Sequence, residues 1–413
     1  MIFPFPSPPV PPPRVVITGA GILTALGLGW KPNAEGFRAG RTAFRRVSLF
    51  DVSRQRVKDA AEVDLPAALP PTHLSARQLV RLDRASRMLL LAARESWQQA
   101  GWESDENVPL VLGTTAGGMT LGEAYFRQAV QTPRRHRRQA TRAFYYQAQT
   151  QGRIVLDALG FSGPITIISN ACASGSNAIG HGWDILRSGQ AQRVLAGGYD
   201  TLNQLVFSGF DALQALSPTT CRPFDASRDG LAIGEGAAIL CLETLDCARR
   251  RGAVILGELA GYGTTIDLHH LTQPHPEGDA ALAAMALACQ SARLTPRDID
   301  YVNAHGTGTP LNDSSEALAI QRWAGSRAAT LPVSSTKASI GHLLGGAGAV
   351  EAVVCLMAVR EQWLPPETVL ETPDPACNFP IVRKPQDARV NTALSNSFGF
   401  GGVNATLILR RWP

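Results

Sequence analysis

The run Ile167-Ile168-Ser169-Asn170-Ala171-Cys172-Ala173-Ser174-Gly175-Ser176 decides how this chain is read. An apolar, β-branched segment (164–168) feeds a turn of small residues, the turn carries a cysteine, and residues 176–186 suit a helix. Strand, tight turn and helix in that order form the repeating unit of an α/β protein. A thiol at a helix N-terminus feels the partial positive charge of unpaired backbone N–H groups. That position predicts a lowered thiol pKa and a larger thiolate fraction. The small neighbours leave room for a substrate carbonyl beside the sulfur. From this run alone, a buried structural cysteine fits as well as a nucleophile, because free cysteine packs readily in cores.

The surrounding chain has 413 residues, of which 45% are hydrophobic and 18% charged. That is enough to bury a large core, as one domain or two joined halves. No apolar run reaches the length of a membrane span. Residues 1–13 are proline-rich and lack the basic start and apolar core of a signal peptide. They read as an extended, polyproline-like tail outside the core. The seven cysteines are widely spaced, with no CxxC pair. This argues against a disulfide framework or a structural zinc site and for a reducing cytoplasm. A net charge of +5 suits an acidic partner but is no nucleic-acid signature.

Toward the N-terminus, residues 14–20 read as a buried strand and the glycines near its end as a tight turn. Gly19 and Gly21 match the first two glycines of GxGxxG, but Thr24 stands where the third belongs, so the dinucleotide fingerprint fails. Residues 89–97 look like an apolar-faced helix, and 110–112, 193–196 and 237–242 like buried strands. After Arg249-Arg250-Arg251-Gly252 a new strand begins at Val254, and helices and strands alternate again to Leu409. The pattern predicts an α/β fold divided into a tail (1–13) and two halves (14–252 and 253–413). Segment 125–151 stands apart, with Arg134-Arg135-His136-Arg137-Arg138 followed by Phe144-Tyr145-Tyr146. The arginines read as a solvated loop or, more sharply, as a docking patch for an acidic protein.

Three glycine-framed motifs follow in the second half. Val302-Asn303-Ala304-His305-Gly306-Thr307-Gly308-Thr309-Pro310 ends a strand at a histidine, with Asn312, Asp313 and Glu316 just beyond. Ser334-Ser335-Thr336-Lys337-Ala338-Ser339-Ile340-Gly341-His342 leads into a small-residue helix. Ser395-Asn396-Ser397-Phe398-Gly399-Phe400-Gly401-Gly402-Val403-Asn404 supplies glycines that let backbone N–H groups approach a ligand closely. Singly, each has an ordinary explanation: a core histidine, a surface lysine, a tight turn. One cysteine, two histidines and a lysine, each in a small-residue turn, point together to covalent catalysis. His269, His270 and His275 share a proline-containing loop without the spacing of a metal-ligand set, so no metal is predicted.

From about Arg14 to Arg410 these motifs resemble a β-ketoacyl-acyl-carrier-protein synthase of the KAS I/II type, an elongating condensing enzyme of the thiolase-fold superfamily. The resemblance rests on Ala-Cys-Ala-Ser-Gly, His-Gly-Thr-x-Thr, Ser-Thr-Lys…Gly-His-Leu and Asn-Ser-Phe-Gly-Phe-Gly-Gly, with Arg222-Pro223-Phe224-Asp225 to Gly236 in support. It implies a thiolase-like duplicated α-β-α-β-α layered fold with two similar halves. It also implies a decarboxylative Claisen condensation in fatty acid elongation. In that reading Cys172 carries the acyl chain as a thioester. The backbone N–H groups of Cys172 and Phe400 form the oxyanion hole, and neutral His305 and His342 stabilise the enolate of decarboxylated malonyl-carrier protein. Lys337 holds the charge network together, with Glu316 as its expected partner. Thr307 and Thr309 bind the pantetheine arm, and Phe400 gates the acyl pocket. No cofactor or metal is implied.

His342 separates this chain from initiating and chalcone-synthase-like relatives, which use a Cys-His-Asn set. Phe398 and Phe400 stand where degradative thiolases place a second cysteine, and Cys172 itself argues against a non-condensing chain-length-factor subunit. Val403 replaces a threonine common in the family, and 141–151 is more polar than the resemblance predicts. A ketosynthase of a specialised type II polyketide or polyene pathway therefore stays open, as does an inactive carrier-protein-binding scaffold. The implied partner is acidic acyl carrier protein, docked by Arg77, Arg81, Arg134 and Arg135. The implied assembly is a homodimer, with a heterodimer with a homologous subunit as the alternative.

Overall fold

The computed structural model describes residues 11–103, 107–132 and 139–413. Its centre is an 11-stranded sheet. From edge to edge the strands run Val333–Ser334, Tyr301–Asn303, Thr392–Phe398, Val403–Arg410, Gly257–Ile266, Val15–Thr24, Gly236–Thr244, Arg193–Asp200, Leu110–Gly113 and Ile165–Ile168, with Gly27–Leu28 folded back onto Val15–Thr24. Counting outward from the middle, both directions show two antiparallel pairings and then two parallel ones. Each half contributes its five strands in the same spatial order. The two sets join where Val15–Ile17 pairs antiparallel with Gly257–Leu259. The duplication implied by the motifs is therefore visible as topology.

Helix packing gives the layers. Ser174–Arg187 and Ala347–Glu361 pack against each other and lie between the two half-sheets, while Arg84–Ala100 and Asp279–Ala292 cover the outer faces. Thirteen consecutive residues of Ala347–Glu361, through Val359, are buried. Over those thirteen residues the helix is apolar on all sides, as its central place requires, apart from one charge, Glu351.

The glycines near the N-terminus correct the sequence reading. Gly19 and Gly21 lie inside the strand Val15–Thr24, not in a turn after it. A Cβ at Gly19 would sit 2.1 Å from the Ser96 carbonyl oxygen, and one at Gly21 1.9 Å from that of Ala92. The outer helix rests directly on the strand there, and only glycine fits. The second half repeats the device: a Cβ at Gly261 or Gly263 would sit 2.4 or 2.3 Å from the carbonyl oxygens of Ala288 and Ala284.

The described residues on either side of the arginine cluster are largely helical, and the cluster itself, Arg134 to Arg138, lies outside the described residues. Met119–Gln131, Ala140–Tyr146 and Ala148–Leu159 are helices. Their polar side chains tie them together. Arg142 donates to Gln128 Oε1 at 2.6 Å and Gln139 Oε1 at 3.0 Å, and buried Gln151 bridges the Tyr145 carbonyl and the Tyr199 hydroxyl. The polarity of 141–151 is thus used inside the fold. Arg134 and Arg135 lie outside the described residues. Among the described residues, no helix is long and apolar enough to cross a membrane.

Candidate functional site

Each of the four motif turns leaves the C-terminal end of its strand, where α/β folds place their ligands. Ile165–Ile168 leads to Cys172, Tyr301–Asn303 to His305, Val333–Ser334 to Lys337 and His342, and Thr392–Phe398 to Phe400. The cysteine turn and the lysine–histidine turn occupy equivalent places in the two halves, each just before a central helix. Folding the half-sheets around those helices brings residues 172, 305 and 342 to one cavity of about 340 Å³. Thr307, Thr309, Phe398 and Phe400 also line it.

Cys172 lies in a single 3-10 turn, Ala171–Ala173, before the helix starts at Ser174. Ala171 holds a left-handed conformation (φ 56°), unusual for a residue with a Cβ and a form of strain that recurs at functional turns. The Ser174 hydroxyl fastens the turn by donating to the Ala171 carbonyl at 2.6 Å. Cys172 as a whole is 8% exposed. Burial pushes the Cys172 thiol up to about 11, while the Lys337 charge and the Phe400 N–H pull it down. The lowered pKa predicted from the helix N-terminus is therefore not found: desolvation outweighs the favourable charges. The resting group is a thiol, and the Phe400 N–H faces its sulfur.

His305 and His342 meet edge to face, with ring centres 5.3 Å apart. Both imidazoles are held well below the ordinary histidine value, first by burial and next by the Lys337 charge. Both are neutral at pH 7. The Leu344 N–H donates to His342 Nδ1 at 3.1 Å, which leaves the proton on Nε2. His342 Nε2 and His305 Nδ1 are buried with no hydrogen-bond partner among the described residues. In a native interior, such atoms in a cavity wall point to a ligand.

Lys337 is buried and its Nζ donates to the His305 carbonyl at 2.6 Å. Its ionic partner is Glu351, in a close pair, and not Glu316 as expected. Glu316 instead accepts from the backbone N–H groups of His305 and Gly306 at 2.8 and 2.7 Å and from Asn396 at 3.2 Å. Burial pushes its carboxyl up to about 7 against those bonds. The two acids divide the work: Glu316 shapes the backbone of the His305 loop, and Glu351 balances the lysine. Glu351 was missed, although a lone acid within the small apolar run 347–359 was the available signal.

Thr307 and Thr309 share a hydroxyl–hydroxyl bond of 2.8 Å. Asp313, which was given no role from sequence, accepts from the N–H groups of Thr307, Gly308 and Phe224. Phe400 is 39% exposed, and its ring stacks on Phe210 with centres 5.9 Å apart. The loop holding His269, His270 and His275 is latched to the same turn: Gly401 N–H donates to the Leu271 carbonyl and Asp267 N–H to the Gly402 carbonyl, each at 2.7 Å. These histidines belong to the loop packed on the phenylalanine turn, and among the described residues no group of three or more acids, histidines or cysteines is placed to hold a metal. Arg77 and Arg81 lie apart from the cavity, exposed at the short helix Ala76–Leu79.

Comparison with known proteins identifies the family. The beta-ketoacyl synthase N-terminal domain matches residues 13–248 and the beta-ketoacyl synthase C-terminal domain residues 256–371. A 3-oxoacyl-[acyl-carrier-protein] synthase 2 of Staphylococcus aureus (strain COL) is 36% identical over 410 residues, covering 97% of this chain and 98% of that one. The ishigamide ketosynthase/chain length factor structure superposes with a TM-score of 0.91 at 32% identity, covering 97% and 100% of the two chains. A type II PKS acyl-carrier protein in complex with its ketosynthase bound to the hexaketide gives a TM-score of 0.87 at 26% identity, with the same coverage.

Proposed function

The chain belongs to the β-ketoacyl synthase family and is a condensing acyltransferase, and from that premise we propose that it is a KAS II-like 3-oxoacyl-acyl-carrier-protein synthase of fatty acid elongation, with Cys172 as its nucleophile. The observation that carries the assignment of roles is the convergence of Cys172, two neutral imidazoles and the Phe400 N–H on one cavity.

Cys172 Sγ attacks the thioester carbonyl of an acyl-carrier protein. The carbon–sulfur bond to the carrier breaks, and the thiol proton ends on the departing carrier thiol. With a pKa of about 11, only about one cysteine in ten thousand is ionised at pH 7. Proton removal therefore accompanies attack. The oxyanion of this step sits on the N–H groups of Cys172 and Phe400. Malonyl-carrier protein then enters along Thr307 and Thr309. Its carboxylate leaves as carbon dioxide, and the bonding pair stays behind as a thioester enolate. Imidazole N–H donors from His305 and His342 hold that enolate; a neutral ring suits the task because it needs no counter-charge in a dry site. The enolate carbon attacks the Cys172 thioester, the carbon–sulfur bond breaks, and the cysteine takes back a proton. The product is a β-ketoacyl chain two carbons longer. Lys337 acts from behind, holding the His305 carbonyl and keeping both histidines neutral.

Carrier protein docks, in this reading, on exposed Arg77 and Arg81, with Arg134 and Arg135 on the same duty. The half-buried strand Ile165–Ile168 ends the sheet, and an unpaired edge of that kind suits association with a second subunit, here a homodimer. A cytoplasmic setting accords with the unpaired cysteines. One observation favours a second reading: two solved relatives are ketosynthases described with a chain length factor or a type II PKS carrier protein. In that reading the same chemistry serves a specialised type II pathway, with a homologous subunit as partner. Mass spectrometry of Cys172 after incubation with a panel of acyl-carrier proteins tests both. Saturated primers alone on Cys172 support elongation of fatty acids, and exclusive loading of polyene or polyketide intermediates supports the second reading. Loading at any other residue overturns the nucleophile assignment.

A further inference from the structure

Asp200 ends the strand Arg193–Asp200 and is fully buried. None of the reaction steps uses it, yet its carboxylate is saturated with four donors from two separate places, residues 114–116 and Gly345. Oδ1 accepts the Thr114 hydroxyl at 2.7 Å and the Ala116 N–H at 2.8 Å. Oδ2 accepts the Thr115 N–H at 2.9 Å and the Gly345 N–H at 2.7 Å. These bonds join the two catalytic turns. Gly345 follows Leu344, whose N–H holds His342 Nδ1. The Thr115 hydroxyl donates to the Ala171 carbonyl at 3.2 Å, immediately before Cys172. The two turns approach closely here, since a Cβ at Gly345 would lie 2.5 Å from the Thr115 nitrogen.

We propose that Asp200 is a positioning residue for the condensation, a single carboxylate that clamps the His342 turn of one half to the Cys172 turn of the other and must be ionised to do so. The inference rests on the roles given above to Cys172 and His342. An ionised carboxylate offers acceptor sites to all four donors, whereas its protonated form is itself a donor and forces one of them away. Burial pushes the Asp200 carboxyl up to about 6 against the four bonds, so the clamp loosens just below neutral pH. The charged or titratable groups coupled to this junction are Tyr199 and, through it, Asp83, together with Cys172, Lys337 and Glu351. Of these, Lys337 and Glu351 balance each other, and the tyrosine and cysteine are pushed to higher values and stay neutral.

The test is the pH profile of malonyl-carrier decarboxylation and of condensation in Asp200→Asn and Thr114→Val, with folding checked by circular dichroism. Asp200→Asn keeps the shape but turns an NH2 group against backbone donors. Its decarboxylation kcat should fall about 10- to 100-fold at pH 7.5 with KM nearly constant, and its acid limb should titrate one proton fewer than wild type. Glu316, at about 7, supplies a limb of its own, so the loss of one proton is the readout and not the loss of the limb. Thr114→Val removes one donor from the same carboxylate, is mild enough to fold, and should move the acid limb to higher pH. A folded Asp200→Asn with wild-type kcat and limb, or an unmoved limb in Thr114→Val, overturns the clamp. Cys172→Ala distinguishes the premise: if it still condenses, the site assignment has failed; if it is inactive while Asp200→Asn behaves as wild type, only the clamp has failed.

Discussion

Replacing Glu351 by glutamine removes the counter-charge of a lysine with almost no access to water. The Lys337 side chain is 1% exposed and that of Glu351 3%. Breaking a buried pair by deleting one partner costs about 3–5 kcal/mol, because the other charge stays behind uncompensated. Unfolding entropy of about 2.1 cal/mol/K per residue across 413 residues is about 0.9 kcal/mol/K, so Glu351→Gln should lower the apparent Tm by about 3–6 °C. Removing both charges, Lys337→Met with Glu351→Leu, leaves no orphan ion and should recover most of that loss, short of about 1 kcal/mol for the His305 carbonyl bond. Function should not recover. Without Lys337, the His305 carbonyl loses its anchor and both histidines lose the charge that helps keep them neutral. Misplacement on the scale of 1 Å costs about 10²-fold in rate. Scanning calorimetry and malonyl-carrier decarboxylation on Lys337→Met, Glu351→Leu and their double variant give the coupling energy directly. The reasoning fails if Glu351→Gln melts within 1 °C of wild type, or if the double variant decarboxylates at the wild-type rate.

Other consequences are open to measurement. Since the Cys172 thiol titrates at about 11, its alkylation by iodoacetamide should rise about tenfold per pH unit from 7 to 10, and a plateau near pH 8 would contradict the desolvation argument. Because the His342 pKa is depressed in the folded protein, the unfolded chain binds the extra proton as pH falls. The stability it contributes is complete above about 6.5 and lost as pH drops toward the folded value. His342→Asn should therefore flatten the stability profile between pH 6.5 and 5 by about 1.4 kcal/mol per pH unit, read from urea unfolding; parallel curves for the two proteins count against a neutral buried ring. Reversing Arg77 and Arg81 to glutamate should raise KM for carrier-bound acyl substrate at low salt while transfer from a small acyl thioester stays the same, and equal KM values would remove both residues from the docking surface.

Much of the candidate site was legible in the chain itself, because each proposed catalytic group sits in a turn that needs small residues for the same local reason: backbone or ligand comes close. That is why Cys172, His305, His342, Lys337 and Phe400 could be named from their neighbours. The same cue misled at Gly19 and Gly21. There the close approach is made by a helix crossing a strand, and nothing nearby in sequence announces it. The helices Met119–Gln131, Ala140–Tyr146 and Ala148–Leu159 were obscured by their polarity, since Gln128, Gln139, Arg142 and Gln151 find their partners only once the helices are assembled.

The cysteine run 167–176 specified a strand, a turn and a helix, and with the three glycine-framed motifs of the second half it specified the family and its reaction class. Those are properties of local pattern, carried by residue size and spacing. The charge states were decided by tertiary structure alone. A helix N-terminus predicts a reactive thiolate, but burial pushes the thiol up to about 11. Lys337 pairs with Glu351 rather than Glu316 because one lies on the central helix behind it and the other is committed to the His305 backbone. Desolvation and pairing depend on what the fold brings together from distant parts of the chain, and no local pattern encodes them.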